Sequence, residues 1–144
     1  MNTTDTDTDT RTLVVERVMP HPPEKVWRAL TQGALIEEWL LKNDFQPVVG
    51  HHFKLRNEPM PQWDGVIDCE VLSLEPNQRL AYSWNALGLE SVVTFTLTPD
   101  KDGTRLRMEQ AGFRPGREND RYFQGANYGW QKFLGNLEQL VAKL

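Results

Sequence analysis

The sequence has 144 residues, of which 39% are hydrophobic and 25% charged, and its 20 acidic and 16 basic side chains give a formal net charge of −4. This length predicts one folded domain, and the acidic balance argues against a protein that binds nucleic acid through a basic surface. No apolar run approaches the roughly 20 residues that a membrane-spanning helix needs, and a single cysteine cannot form an internal disulfide bond.

The N-terminal segment, residues 1–11, alternates threonine and aspartate and has no apolar side chain after Met1. Because such a segment has nothing to bury, we predict a disordered tail, followed by a single domain over residues 12–144. The segment has neither the basic nor the apolar region of a secretory signal. We therefore expect a cytoplasmic protein without membrane insertion.

The folded part opens with a β-branched, apolar pattern that predicts a strand over residues 13–19. Pro22 and Pro23 follow, where proline is favoured at the first turn of a helix. Apolar residues at helical spacing then predict a short helix that ends at Gly33, which we interpret as a left-handed cap. A second apolar stripe predicts another short helix over residues 35–40.

Five alternating patterns come next and predict strands. They cover residues 52–56, 65–74, 80–84, 93–97 and 105–110. Asp100 to Gly103 reads as a hairpin turn between the last two strands. Since one side of these strands is apolar and the other polar, they are expected to form an antiparallel sheet with one face in solvent.

The chain closes with a long amphipathic pattern over residues 123–144, for which Asn119 or Asp120 would be the N-terminal cap. Three glycines interrupt this predicted helix: Gly125, Gly129 and Gly135. Each costs about 1 kcal/mol relative to alanine inside a helix. Glycine is retained at such a cost where another group approaches closely or where the helix bends.

Four short blocks are characteristic when taken in order: VWRALT at 26–31 followed by Trp39, RLAYSW at 79–84 after a strand and a proline turn, VTFTL at 93–97 followed by QAGF at 110–113, and Gly129-Trp130. With these blocks the chain resembles the activator of heat-shock-protein-90 ATPase homologue family, within the START-like and birch-pollen-allergen-like superfamily. The resemblance implies an α+β helix-grip fold. In that fold a curved antiparallel sheet of about six strands surrounds a long C-terminal helix, with two short helices after the first strand.

The resemblance also implies a hydrophobic cavity between the sheet and the C-terminal helix, which in related proteins binds lipids or polyketide-like aromatic molecules. Strand and helix alternation nominates the residues that would line it. They are Trp39, Phe53, Ile67, Cys69, Tyr82, Trp84, Phe95, Met108, Gln110, Phe123, Ala126 and Trp130. The Gln110 amide and the Tyr82 hydroxyl would orient a ligand. Of the two tryptophans in the short helices, Trp39 is expected to contact the ligand and Trp27 to belong to the core.

Other interpretations of the sequence remain open. An aromatic stripe at helical spacing more commonly belongs to an ordinary packed core, and since cores and cavities use the same residue types, it is the resemblance that favours a cavity. Alternatively, the chain is an interaction module, such as a stress-related regulator of a chaperone ATPase or a homodimer, that presents the loop 113–121 or an exposed Trp63 to a protein. A further interpretation places Trp63 over the mouth of the cavity.

Catalytic chemistry has little support in the sequence. His51 and His52 are adjacent, so on a strand their side chains point to opposite faces and cannot share a metal ion. Cys69 falls in an apolar alternation, which favours a core residue over a nucleophile. We expect no metal site, no cofactor and no catalytic residue, and we rank a cyclase or hydrolase below a binding protein.

Overall fold

The computed structural model describes residues 10–144, with the backbone alone at residues 117–119, so most of the predicted tail (residues 1–9) lies outside the described residues. In chain order the described part contains β1 (Arg11–Met19), α1 (Pro23–Thr31), α2 (Gly33–Trp39), β2 (Lys42–Asn43), β3 (His52–Arg56), β4 (Val66–Glu75), β5 (Arg79–Ala86), β6 (Leu89–Asp100), β7 (Gly103–Phe113) and α3 (Arg117–Lys143). None of these helices is both long and apolar enough to cross a membrane.

All neighbouring strands pair antiparallel, in the order β1-β7-β6-β5-β4-β3-β2, and α3 packs across one face of the sheet. The predicted α+β helix-grip fold is therefore confirmed. The sheet has seven strands where about six were expected, because β2 pairs through only Lys42 and Asn43 and is too short to produce an alternating pattern. The predicted hairpin turn between β6 and β7 is present, with Asp100 opposite Gly103.

The core forms where the inward side chains of the sheet meet the helices. In α3 the buried residues all belong to its second half: Trp130, Leu134, Leu137, Leu140 and Val141. No side chain described in the first half of α3 is buried to the same degree. The second half of α3 is therefore fixed by packing, whereas the first half leaves space between itself and the sheet.

The predicted cap at Gly33 is wrong. Helix α1 ends at Thr31, and Gln32, with an extended backbone (φ −107°), caps it and also precedes α2. Gly33 is the first residue of α2. The carbonyl oxygen of Gly33 accepts a hydrogen bond from the Asn43 side-chain amide at 3.0 Å. A Cβ at position 33 would lie 3.1 Å from Asn43 Oδ1, so glycine serves close packing there instead of a left-handed turn.

The predicted cap of the last helix is also wrong. Helix α3 begins at Arg117, directly after Gly116, and Asn119 and Asp120 are already inside it. Gly116 has φ +126°, which favours glycine at the entry to the helix. The Asp120 carboxylate instead pairs with the Arg11 guanidinium and links the first turn of α3 to β1.

Candidate ligand-binding groove

A half-open groove of about 400 Å³ lies between the first half of α3 and the end of the sheet. Ligand sites typically measure about 300–1,000 Å³. One wall is formed by α3, the floor by residues of β4, β5 and β7, and the rim by the loop before β4 and the turn between β5 and β6. Its lining is predominantly apolar.

The helix wall contains two glycines one turn apart, Gly125 and Gly129. A Cβ at Gly125 would meet no heavy atom within 4 Å, and one at Gly129 would meet only the Phe133 ring, at 3.9 Å. These glycines therefore make no room for another part of the chain. They leave the groove wider than alanine or any larger residue would, at a cost of about 1 kcal/mol each in helix stability.

The floor is held by a chain of hydrogen bonds behind Trp130. The indole Nε1 of Trp130 donates to Gln110 Oε1 at 2.8 Å, and Gln110 Nε2 donates to Ser91 Oγ at 3.0 Å. Ser91 Oγ in turn donates to the Trp84 carbonyl at 2.7 Å. Because both ends of its amide are engaged, Gln110 acts first as the support of Trp130 and only secondarily as a group that could orient a ligand.

The rim contains Trp63, which is half-buried and lines the groove. Its Nε1 donates to the Val66 carbonyl at 3.1 Å, and its backbone pairs with Met60 through two hydrogen bonds of 2.7 and 3.1 Å. These contacts hold the indole at the groove. Of the interpretations of Trp63, the one that places it at the cavity mouth agrees with this position.

Five of the twelve nominated residues line the groove. They are Ile67, Trp84, Gln110, Ala126 and Trp130. Six others are buried core residues outside the groove, each 3% exposed or less: Trp39, Phe53, Cys69, Tyr82, Phe95 and Met108. Phe123 is half-buried against Phe113, with Arg11 stacked over its ring, and is not part of the lining.

The two tryptophans of the short helices both pack with the core, and neither lines the groove. Trp39 is 1% exposed, donates from Nε1 to the Ala29 carbonyl at 2.8 Å, and meets Phe95 edge-to-face at 6.1 Å. Trp27 is half-buried. Trp39 therefore fills the centre of the core. Phe45 occupies the same region, 5.2 Å from Phe53, and lies in a segment with no periodic pattern to reveal it.

Several lining residues were not nominated from the sequence, including Leu41, Met60, Leu87 and Arg121. Leu87 could have been found, because the sequence places this apolar residue directly before Gly88, between two predicted strands. In the structure it lies in the turn with φ +53° and is 49% exposed. Arg121 is on the first turns of α3, at the end of the segment 113–121 that the sequence offered only as a protein-contact loop, and no local signal distinguishes it there.

The titratable groups of the core are unsuited to chemistry. Burial, aided by the Asp68 carboxylate, raises the pKa of the Cys69 thiol from 9.0 to about 12. Burial also raises the pKa of the Tyr82 phenol well above its ordinary value, with Cys69 adding to the effect. Both groups are therefore neutral at physiological pH, and neither lines the groove.

This raised pKa predicts that Cys69 is unreactive in the folded chain. At pH 8, Ellman's reagent should label the native protein at least about tenfold more slowly than the unfolded protein, because the thiolate is the reactive species. Since the unfolded thiol ionises from about pH 9 and the folded thiol only near 12, stability should fall as pH rises between these values. Cys69→Ala should remove that part of the pH dependence, and equal labelling of native and unfolded chains would contradict the prediction.

The chain is similar to a known protein family and to solved structures. The family model of the activator of Hsp90 ATPase homolog 1-like proteins matches residues 20–142. A crystal structure of protein MLL2253 from Mesorhizobium loti is 56% identical, with 92% of this chain and 98% of that chain aligned and a TM-score of 0.85. A search of the curated proteins returned no match.

Two further solved structures share the fold. DynU16, described as a protein in the dynemicin biosynthetic locus, is 27% identical over 91% of this chain and 47% of its own length, with a TM-score of 0.76. The Aha1 dimer from Colwellia psychrerythraea is 20% identical, with 91% and 96% coverage and a TM-score of 0.78. At that identity the likeness concerns the fold alone.

Proposed function

Since the chain belongs to the family of activator of Hsp90 ATPase homolog 1-like proteins, we propose that its domain, residues 12–144, binds an apolar or aromatic small molecule of lipid or polyketide-like character in the groove beside α3. The observation that carries this proposal is the open space at Gly125 and Gly129. The helix loses stability to keep this space, and no other part of the described chain occupies it.

The chemistry of the lining supports binding more than catalysis. The described lining residues include no histidine, cysteine, serine, lysine, aspartate or glutamate, so the groove holds no nucleophile with a neighbouring base. Apolar surface moved out of water contributes about 25 cal/mol per Å². Aromatic side chains can additionally stack on a planar ligand.

One relative supports a small biosynthetic molecule as the ligand. DynU16 is a protein in a biosynthetic locus, and 91% of this chain aligns with part of it. We also propose the cytoplasmic location that was predicted from the sequence. There the chain would have access to metabolites formed in the cytoplasm.

Tryptophan fluorescence tests the proposal directly, because Trp63, Trp84 and Trp130 all line the groove. A panel of fatty acids, flavonoids and polycyclic aromatic compounds should include at least one that quenches this emission saturably. Native mass spectrometry of the same mixture should give a one-to-one complex. If no compound quenches saturably and none is retained in the mass spectrum, the proposal is wrong.

The family description also favours a second candidate, regulation of a chaperone ATPase through protein contact. The loop that enters α3 would be the contact surface under this alternative. Purified chain added to a bacterial Hsp90 homologue should then accelerate ATP hydrolysis at least about twofold, which corresponds to only 0.4 kcal/mol. An unchanged rate, together with no complex in size-exclusion chromatography, would leave ligand binding as the function.

A further inference from the structure

One charged side chain lines the groove in the described part of the chain, and it is Arg121. Arg121 is exposed, and no ion pair or side-chain hydrogen bond joins its guanidinium to another residue whose side chain the structure describes. The carboxylate next to it in sequence, Asp120, pairs with Arg11 on β1. Arg121 is therefore a cation at the edge of an apolar groove, and the adjacent carboxylate of Asp120 is already paired with Arg11.

The rest of the groove is markedly aromatic. Six aromatic side chains line it: Trp63, Trp84, Phe113, Tyr122, Trp130 and Phe133. Trp130 lies 5.2 Å from the Trp84 ring and 5.8 Å from the Phe133 ring, in tilted and edge-to-face arrangements. Aromatic pairs in such geometries attract each other beyond the effect of the area that they bury. A planar ring system would gain this attraction in addition to its burial, whereas an alkyl chain would not.

We infer that the ligand is a planar aromatic acid whose rings lie against the tryptophans and whose carboxylate or sulfonate pairs with Arg121. This inference rests on the proposed function and narrows it to one chemical class. The guanidinium presents parallel N–H donors that match the two oxygens of a carboxylate, and its charge does not titrate in the physiological range. The other polar groups of the floor contribute less selectivity, because Gln110 is held by Trp130 and Ser91.

Two fluorescent probes with the same ring skeleton separate the two parts of this inference. 1-Anilinonaphthalene-8-sulfonate carries an acidic group, and N-phenyl-1-naphthylamine lacks it. The wild-type chain should bind both probes saturably. Arg121→Gln should weaken binding of the sulfonate about fivefold, the loss expected for an exposed charge pair with hydrogen bonds, and should change binding of the neutral probe less than twofold.

Charge-matched controls distinguish a local contact from a general effect of net charge. Arg121→Lys should retain most of the affinity for the sulfonate. Arg28→Gln removes the same charge from the exposed surface of α1, outside the groove lining, and should affect neither probe. Raising the salt concentration from about 50 to 500 mM should weaken sulfonate binding to the wild type, and much less to Arg121→Gln, because screening acts on the charge pair.

Each outcome decides one of the two proposals. If the wild-type chain binds neither probe saturably, the proposed function fails for aromatic ligands and this inference fails with it. If both probes bind and Arg121→Gln weakens both equally or neither, the groove binds aromatic molecules but Arg121 does not select an acid. In that case only the further inference is overturned.

Discussion

Replacing Trp130 with alanine is expected to lower the free energy of unfolding by about 3–5 kcal/mol. Its side chain is 2% exposed and lies within 6 Å of three other aromatic rings, those of Trp84, Phe95 and Phe133. The substitution would leave a large cavity and would also remove the donor to Gln110 Oε1. A buried acceptor without a partner costs a further 1–3 kcal/mol or so, although solvent entering from the groove would recover part of it.

Urea denaturation measures this loss, and two variants calibrate it. Tyr128→Ala changes an aromatic residue on the same helix that is 75% exposed, so it should alter stability by less than about 0.5 kcal/mol. Trp130→Phe keeps an aromatic ring and removes the N–H donor. Its loss in free energy of unfolding should therefore fall between those of Trp130→Ala and Tyr128→Ala. A loss below about 1 kcal/mol for Trp130→Ala would contradict the packing described above.

The same variant tests whether Trp130 is a wall of the site. If ligand binding, measured under conditions where the variant is fully folded, is unchanged in Trp130→Ala, then Trp130 belongs to the core alone. If it weakens, the indole has both roles, because its buried ring faces Phe95 and it also lines the groove.

Replacing Gly125 with leucine is expected to weaken ligand binding at least about tenfold, or 1.4 kcal/mol, without lowering stability. The new side chain would extend into open space, because beyond the adjoining residues and backbone of α3 itself no atom lies within 4 Å of its Cβ. It would thus occupy the groove while contacting little of the protein. Because glycine is about 0.8–1.0 kcal/mol worse than alanine in a helix, and leucine is nearly as good as alanine, the variant should be as stable as wild type or more so.

This combination of retained or raised stability with lost binding is informative, because a loss of binding cannot then be attributed to the destabilisation that most substitutions cause. Gln124→Leu adds an equally apolar side chain to the adjacent, exposed position and is not in the groove lining, so it should leave binding unchanged. Gly125→Ala should have an intermediate effect on affinity. Wild-type affinity in Gly125→Leu would show that the ligand does not use the groove.

Local sequence patterns were sufficient for most of the secondary structure. The alternation in residues 52–56 and 93–97, and the helical stripe after Phe123, correspond to observed elements because one face of each is buried and the other is solvated. The caps were less predictable. Gly33 and Asp120 have the residue types of caps, but contacts with Asn43 and Arg11, which are distant in sequence, determine what each one does.

By itself, therefore, the sequence determined the order of the longer elements and the buried face of the strands that it predicted, since these follow from the period of the apolar residues along one chain segment. The helix-grip arrangement followed from the resemblance of four sequence blocks to a known family. Only the tertiary structure decided which inward residues surround empty space. Alternation specifies a face, but whether the volume above that face is filled depends on side chains from other elements. Trp39 and Phe45 fill the centre of the sheet. At its end Gly125 and Gly129 have no side chain to contribute, and the groove stays open.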